Sequence, residues 1–283
     1  MNLIYAIICG IIQGAAEFLP ISSSGHLSIF NNIWSKASGA SVQSYDAFEL
    51  LLHLATLVAV CFVYWKDIII LIYSFFTMMK KVFHGKFKMK YYNPNERMVI
   101  MLIIAVLPLI VGVFLEKAVE SVSAYTWAIG IILLFNAAML YISDGLARGG
   151  VNKKNTTPKK ALKVGCGQLL AVFPGLSRSG TTITVGLSQG FDRTYAVKFS
   201  FLLSIPAILG GCVLKLKSIG ELFTESSLLV PSIIGMLVAF VCGFFAIKLL
   251  IYVSKHSNFR AFSYYCAVMG VICIILGIAG FNS

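Results

Sequence analysis

Six stretches of this chain, residues 47–65, 98–115, 125–142, 199–216, 228–253 and 262–281, are almost wholly apolar. None carries more than two ionisable side chains. Each approaches the roughly 20 residues an α-helix needs to cross the hydrocarbon core of a bilayer. Only 12% of the 283 residues are charged and 58% are hydrophobic, against about 25% charged in a soluble domain. Barrel strands alternate in polarity and run only about 10 residues, so continuous runs of this length exclude a β-barrel. The expected class is an all-α polytopic membrane protein.

Two further apolar regions are too short to span and are broken. Residues 3–16 run into Glu17 and Pro20, after which Ser22 or Ser23 can cap a new helix. Residues 165–190 repeat the pattern around Pro174 and Gly175. A helix, a break and a second helix at membrane depth reads as a re-entrant hairpin, tolerated only where it lines a polar cavity. The expected layout is six transmembrane helices plus two re-entrant helix hairpins. Residues 68–79 either prolong the first span or lie in the interface, and 116–124 form an acidic loop.

The net charge of +12 is concentrated: twelve of the 23 basic residues lie in the loops 80–97 and 148–163. Such loops face the cytoplasm and read as a topology signal, with no nucleic-acid partner implied. Counting spans from them puts both termini outside, the first hairpin's mouth outside and the second's inside. The N-terminus has no basic region or cleavage site of the signal-peptide kind. The seven cysteines all fall in apolar segments without paired spacing and read as small core residues.

Hairpins entering from opposite faces imply an inverted-topology repeat. At an offset of 155, residues 10–25 and 165–180 share seven of sixteen positions: Gly10/Gly165, Gln13/Gln168, Ala16/Ala171, Phe18/Phe173, Ser22/Ser177, Ser24/Ser179 and Gly25/Gly180. The chain is read as one integral-membrane domain with halves of about 1–145 and 160–283.

The ionisable groups at membrane depth are Glu17, His26, Glu49, His53 and Arg178. Each costs about 2.5–3.5 kcal/mol on insertion scales, so each is expected to pair or to line a site. Arg178 offers a planar fork suited to carboxylates and phosphates. Ser177, Ser179, Thr181 and Thr182, with Gly175 and Gly180, make a small-residue loop at a helix start, where backbone N–H groups attract anions. Glu17 is a candidate general base, metal ligand or counter-ion to Arg178, and Gln13 lies one turn earlier on the same face. Ser23 and His26 form a hydroxyl–imidazole pair; a capping role for these residues is the alternative, and spacing does not choose between Ser22 and Ser23. Glu49 and His53, at i and i+4, either orient each other or approach the site from the side.

These motifs resemble the integral-membrane undecaprenyl-pyrophosphate phosphatase family, the bacitracin-resistance type. Gln13–Glu17 matches its (E/Q)xxxE element, Phe18–His26 its FLPxSSxGH string, and Pro174–Gly180 with Thr181 and Thr182 its PGxSRSG string. The resemblance implies hydrolysis of undecaprenyl pyrophosphate to undecaprenyl phosphate and phosphate. That reaction recycles the lipid carrier of cell-wall synthesis and confers bacitracin resistance. It further implies a multi-pass protein of the bacterial cytoplasmic membrane, an outward-facing site and a divalent cation, Mg²⁺ or Ca²⁺. Glu17, Ser23, His26 and Arg178 inherit catalytic roles; Ser22, Ser177 and Thr182 inherit phosphate contacts. Where some members carry Glu, this chain has Gln13, so a cation rests on Glu17, substrate phosphates and water. A homo-oligomer is compatible with this reading. The rival reading is a transporter for the lipid phosphate or another anion, since inverted repeats with broken helices are also transporter architecture. The acid-phosphatase-like lipid phosphatases need a later His followed by Asp, and no Asp follows Asp192.

Overall fold

The computed structural model describes residues 2–38, 46–86, 88–146, 149–214 and 226–282. Arg148 of the second basic loop, and Lys215 and Leu216 of the fourth expected span, lie outside them. Helices account for the regular structure of the described residues, apart from an isolated bridge between Val151 and Phe191. In chain order they are α1 (Leu3–Phe18), α2 (Ser23–Ser38), α3 (Asp46–Val63), α4 (Trp65–Phe83), α5 (Pro94–Val106), α6 (Leu109–Gly112), α7 (Glu116–Ser123), α8 (Thr126–Leu146), α9 (Pro158–Leu170), α10 (Arg178–Ser188), α11 (Arg193–Leu214), α12 (Ser226–His256) and α13 (Arg260–Ile278).

Five helical stretches are long and apolar enough to cross a membrane: Pro94–Ser123, Thr126–Leu146, Arg193–Leu214, Leu228–His256 and Arg260–Ile278. A sixth is reached if α3 and α4 are counted together, though they meet at an 87° bend. Residues 68–79 do not prolong α3 itself but belong to a separate helix, α4, set at that angle to it. The expected acidic loop is also corrected, since 116–123 is helical. Its Glu116 sits in the first turn, where a carboxylate complements the helix dipole.

Large apolar side chains cover much of the exterior, while several polar side chains are buried inside. Phe62, Phe114, Ile233, Phe245 and Ile275 are all more than half exposed, whereas Gln13, Glu17, Asn136 and Gln168 are buried. An apolar exterior of this extent is a lipid-facing one. The chain is a multi-pass membrane protein.

Without a hydrophobic drive between helices in lipid, small residues let backbones approach closely. α1 packs on α12 so tightly that a β-carbon on Gly10 would lie 2.5 Å from the Gly235 carbonyl oxygen. α9 packs on α5 in the same way, with Gly165 against the Ala105 carbonyl. Gly10 and Gly165 are partners at the 155-residue offset. Each broken region therefore leans its first helix on the other half of the chain.

Polar contacts gather the two basic loops at one end. Lys81 pairs with buried Glu96 at 2.7 Å. Lys153 donates to Asn95 at 2.9 Å, and Arg97 donates to the Thr156 carbonyl at 3.3 Å. Lys36, on α2, donates to the Gly280 carbonyl beyond α13 at 2.9 Å.

Candidate active site

Both broken regions turn through the same device. After α1 the backbone leaves the helix at Leu19–Ser22, and Ser22 takes a φ of +72°. That value is uncommon for a residue with a side chain. Ser22 Oγ accepts from the Gly25 N–H at 3.3 Å, capping α2. In the second region Ser177 Oγ accepts from the Gly180 N–H at 3.2 Å, capping α10. Each cap satisfies one of the orphan donors of a helix start.

The two turns touch. The Gly175 N–H donates to Ser22 Oγ at 3.1 Å, and Ser179 Oγ donates to the Leu19 carbonyl at 3.2 Å. Gly175 has a φ of +96°, and a β-carbon on Gly25 would come within 2.7 Å of its nitrogen. Asn136, fully buried on α8, clasps both: its Nδ2 donates to the Pro20 carbonyl at 3.0 Å and its Oδ1 accepts from the Ser177 N–H at 3.2 Å. Replacing Asn136 with Leu orphans two buried backbone groups, each costing about 1–3 kcal/mol. The expected outcome is a loss of roughly 2–4 kcal/mol, read as a lowered thermal midpoint of the detergent-solubilised protein. A variant as stable as wild type would show that the clasp is dispensable.

Beside the joined turns lies a cavity of about 320 Å³. Its polar wall is Glu17, Ser22, Ser23, Ser24, His53, Gln168, Ser177 and Arg178; its apolar wall includes Leu50, Leu109, Leu176 and Ile208. Glu17 is the hub. Its Oε2 accepts from Ser23 Oγ at 2.6 Å and from Gln13 Nε2 at 3.0 Å. Its Oε1 accepts from Arg178 Nη2 at 2.5 Å. His53 Nε2 lies 3.7 Å from Oε2, and its Nδ1 donates to the Glu49 carbonyl at 2.8 Å. The starts of α2 and α10 both border the cavity through Ser23 and Arg178, adding the positive ends of two helix dipoles.

The sequence-predicted residues divide into two groups. Glu17, Ser23, Arg178, Ser22 and Ser177 are brought together. Gln13 stands behind Glu17; Ser179, Gly180, Thr181 and Thr182 build the frame, and His26 faces away from the cavity. Ser179 is bonded as given above, and Gly180 packs near Pro20. Thr181 Oγ1 donates to the Ser177 carbonyl at 2.8 Å and Thr182 Oγ1 to the Arg178 carbonyl at 2.8 Å. His26 is not among the lining residues. Its Nδ1 donates to the Ser22 carbonyl at 2.7 Å, which leaves Nε2 to accept from the Tyr265 hydroxyl at 2.8 Å. The imidazole beside Glu17 is instead His53, the side-approach alternative. Glu49 turns elsewhere and accepts from Asn31 at 3.1 Å.

Three contributors escaped the sequence reading: Ser24, Gln168 and Asn136. Ser24 and Gln168 were visible as matched repeat positions. Asn136, a lone amide inside an apolar span, was the available sign of the clasp.

The family described as bacitracin resistance protein BacA matches residues 6–272. The chain belongs to that BacA family. A relative from Methanosphaera stadtmanae, named undecaprenyl-diphosphatase, is 40% identical over 98% of this chain and 99% of its own length. Relatives of the same name from Methanobrevibacter smithii and Bacteroides fragilis are 41% and 37% identical. Each match covers 96% of this chain, with 96% and 97% of the relatives' own lengths. The match to the BacA family takes in every residue that lines the cavity.

Proposed function

We infer that the chain is an undecaprenyl-diphosphatase, hydrolysing undecaprenyl pyrophosphate to undecaprenyl phosphate and inorganic phosphate at this cavity. The observation that carries the reading is Glu17, held between the Ser23 hydroxyl and the Arg178 guanidinium where the two turns meet.

Ser23 is poised as the nucleophile. Its proton passes along the 2.6 Å hydrogen bond to Glu17 Oε2 as Oγ attacks the terminal phosphorus. The phosphoanhydride P–O bond breaks, and its electron pair leaves with the lipid phosphate. Water then cleaves the phosphoserine, returning the hydroxyl and releasing phosphate. Arg178 exchanges Glu17 for phosphate oxygens and offsets the charge that develops on them. His53 keeps an imidazole next to the base, whereas His26 braces the first turn against α13 through Tyr265.

A divalent cation, Mg²⁺ or Ca²⁺, fits the donor set in a limited way. The described residues hold no group of three or more His, Cys, Asp or Glu side chains suited to a metal. Glu17 is the one carboxylate lining the cavity, and beside it Gln13 Oε1 is buried without a partner. Glu17 would hold the cation, and phosphate oxygens and water would complete its shell. When bound it neutralises diphosphate charge.

The layout behind this site is six crossings with two re-entrant hairpins in an inverted repeat. The exchanged packing of α1 on α12 and α9 on α5 supports it. The basic loops mark the cytoplasmic end. Leu50, Leu109, Gly211 and Cys212 line the cavity from the helix ends away from those loops, which supports an outward-facing site and external termini.

Phosphate release by purified protein in detergent separates this reading from a carrier, because hydrolysis needs no second compartment. Release from undecaprenyl pyrophosphate is expected, with Ser23→Ala lowering kcat by about 10²–10⁴-fold. No release by the wild type, or an unimpaired Ser23→Ala variant, would refute it.

A further inference from the structure

Gln168 is the one side-chain amide of the cavity wall, and nothing in the mechanism uses it. It lies near the end of α9, is 2% exposed, and lines the cavity with Glu17, Ser23, His53 and Arg178. Neither its Nε2 nor its Oε1 has a hydrogen-bond partner. A buried amide with both ends unpaired is destabilising unless something else makes up the bonds.

Its repeat counterpart shows what is different here. Gln13 and Gln168 are matched at the 155-residue offset, and Gln13 donates to Glu17 one turn on. The same offset sets Val172 opposite Glu17, and Val172 also lines the cavity. The second amide therefore has no carboxylate to hold. The offset likewise sets Arg178 opposite Ser23. The first half supplies the acid and hydroxyl; the second supplies a guanidinium and a free amide.

We propose that Gln168 is a substrate-binding residue whose side-chain amide donates to a phosphate oxygen of the bound diphosphate. This rests on the phosphate-cavity reading above and extends it. The amide lines the same cavity as Arg178, so a phosphate bound there would supply the partner that it lacks. A neutral donor here adds grip to the charged fork of Arg178 without a second buried charge.

The test uses the purified full-length chain in detergent, comparing wild type, Gln168→Leu and Gln168→Glu. Two readouts are taken: the thermal midpoint with and without inorganic pyrophosphate, and kcat and KM for undecaprenyl pyrophosphate. Leu removes an unpaired buried amide, so the midpoint without pyrophosphate is expected to hold or rise. Protection by pyrophosphate should be lost, and KM should rise about tenfold or more while kcat changes less. Glu adds a like charge and should raise KM further. A fall in the Leu variant's unliganded midpoint would make Gln168 a packing residue and overturn the proposal. So would an unchanged KM together with unchanged pyrophosphate protection. If the wild type releases no phosphate yet loses pyrophosphate protection on Gln168→Leu, the hydrolase reading fails and the binding role stands.

Discussion

Replacing Glu17 with Gln is expected to lower kcat by about 10²–10⁴-fold while tightening the grip on anions. Glutamine keeps the volume and one oxygen for Ser23, but it cannot accept the serine proton. It also releases Arg178 from its ion pair, so the guanidinium that a phosphate must otherwise win from Glu17 becomes free. Inorganic pyrophosphate should therefore bind the variant more tightly than wild type when a chelator removes divalent cations. The same change leaves Arg178, 17% exposed, without a counter-charge. Breaking a buried pair costs about 3–5 kcal/mol, so the unliganded variant should unfold at a lower temperature and recover on adding pyrophosphate. A Glu17→Gln variant with wild-type kcat would remove the base from the mechanism.

Replacing Arg178 should fail in the opposite way. Arg178→Ala removes the charge that holds phosphate and offsets the transition state, and about 10³-fold or more of kcat/KM should go with it. Arg178→Lys keeps the charge but not the planar fork, and bidentate recognition is lost. An intermediate loss of about 10–10²-fold is expected, with KM carrying more of it than in Glu17→Gln. Equal activity of the Lys and Arg enzymes would argue that only a point charge is needed. Kinetics with undecaprenyl pyrophosphate in detergent decide between these outcomes.

Much of this was legible in the sequence because apolar length and broken helices are strong signals. The apolar stretches and both breaks follow from run lengths, Pro20 and Pro174, while counter-ion to Arg178 was one of three roles left open for Glu17. What was not legible depends on rotation about a helix axis. Ser23 and His26 are three residues apart, which places them near each other but not on the same side of the turn. The positive φ at Ser22 sends Ser23 to Glu17 and His26 toward Tyr265. His53 is 36 residues from Glu17 in sequence, and only the packing of α3 beside α1 brings it within 3.7 Å. The bend at Tyr64 was only partly marked, since Lys66 and Asp67 interrupt the apolar run just after it but no proline stands there. Asn136 shows the limit most plainly. One amide in an apolar run says that something polar lies opposite, and the fold alone says that it is two backbone turns.

The central claim is that an acid from the first half and a guanidinium from the second serve one diphosphate. A double-mutant cycle on kcat/KM for Glu17→Gln and Arg178→Lys tests it directly. Groups acting on one substrate through mutual contact are predicted to couple by about 1–3 kcal/mol, the double variant being far less impaired than the product of the single losses. Strictly multiplicative losses would contradict the shared site.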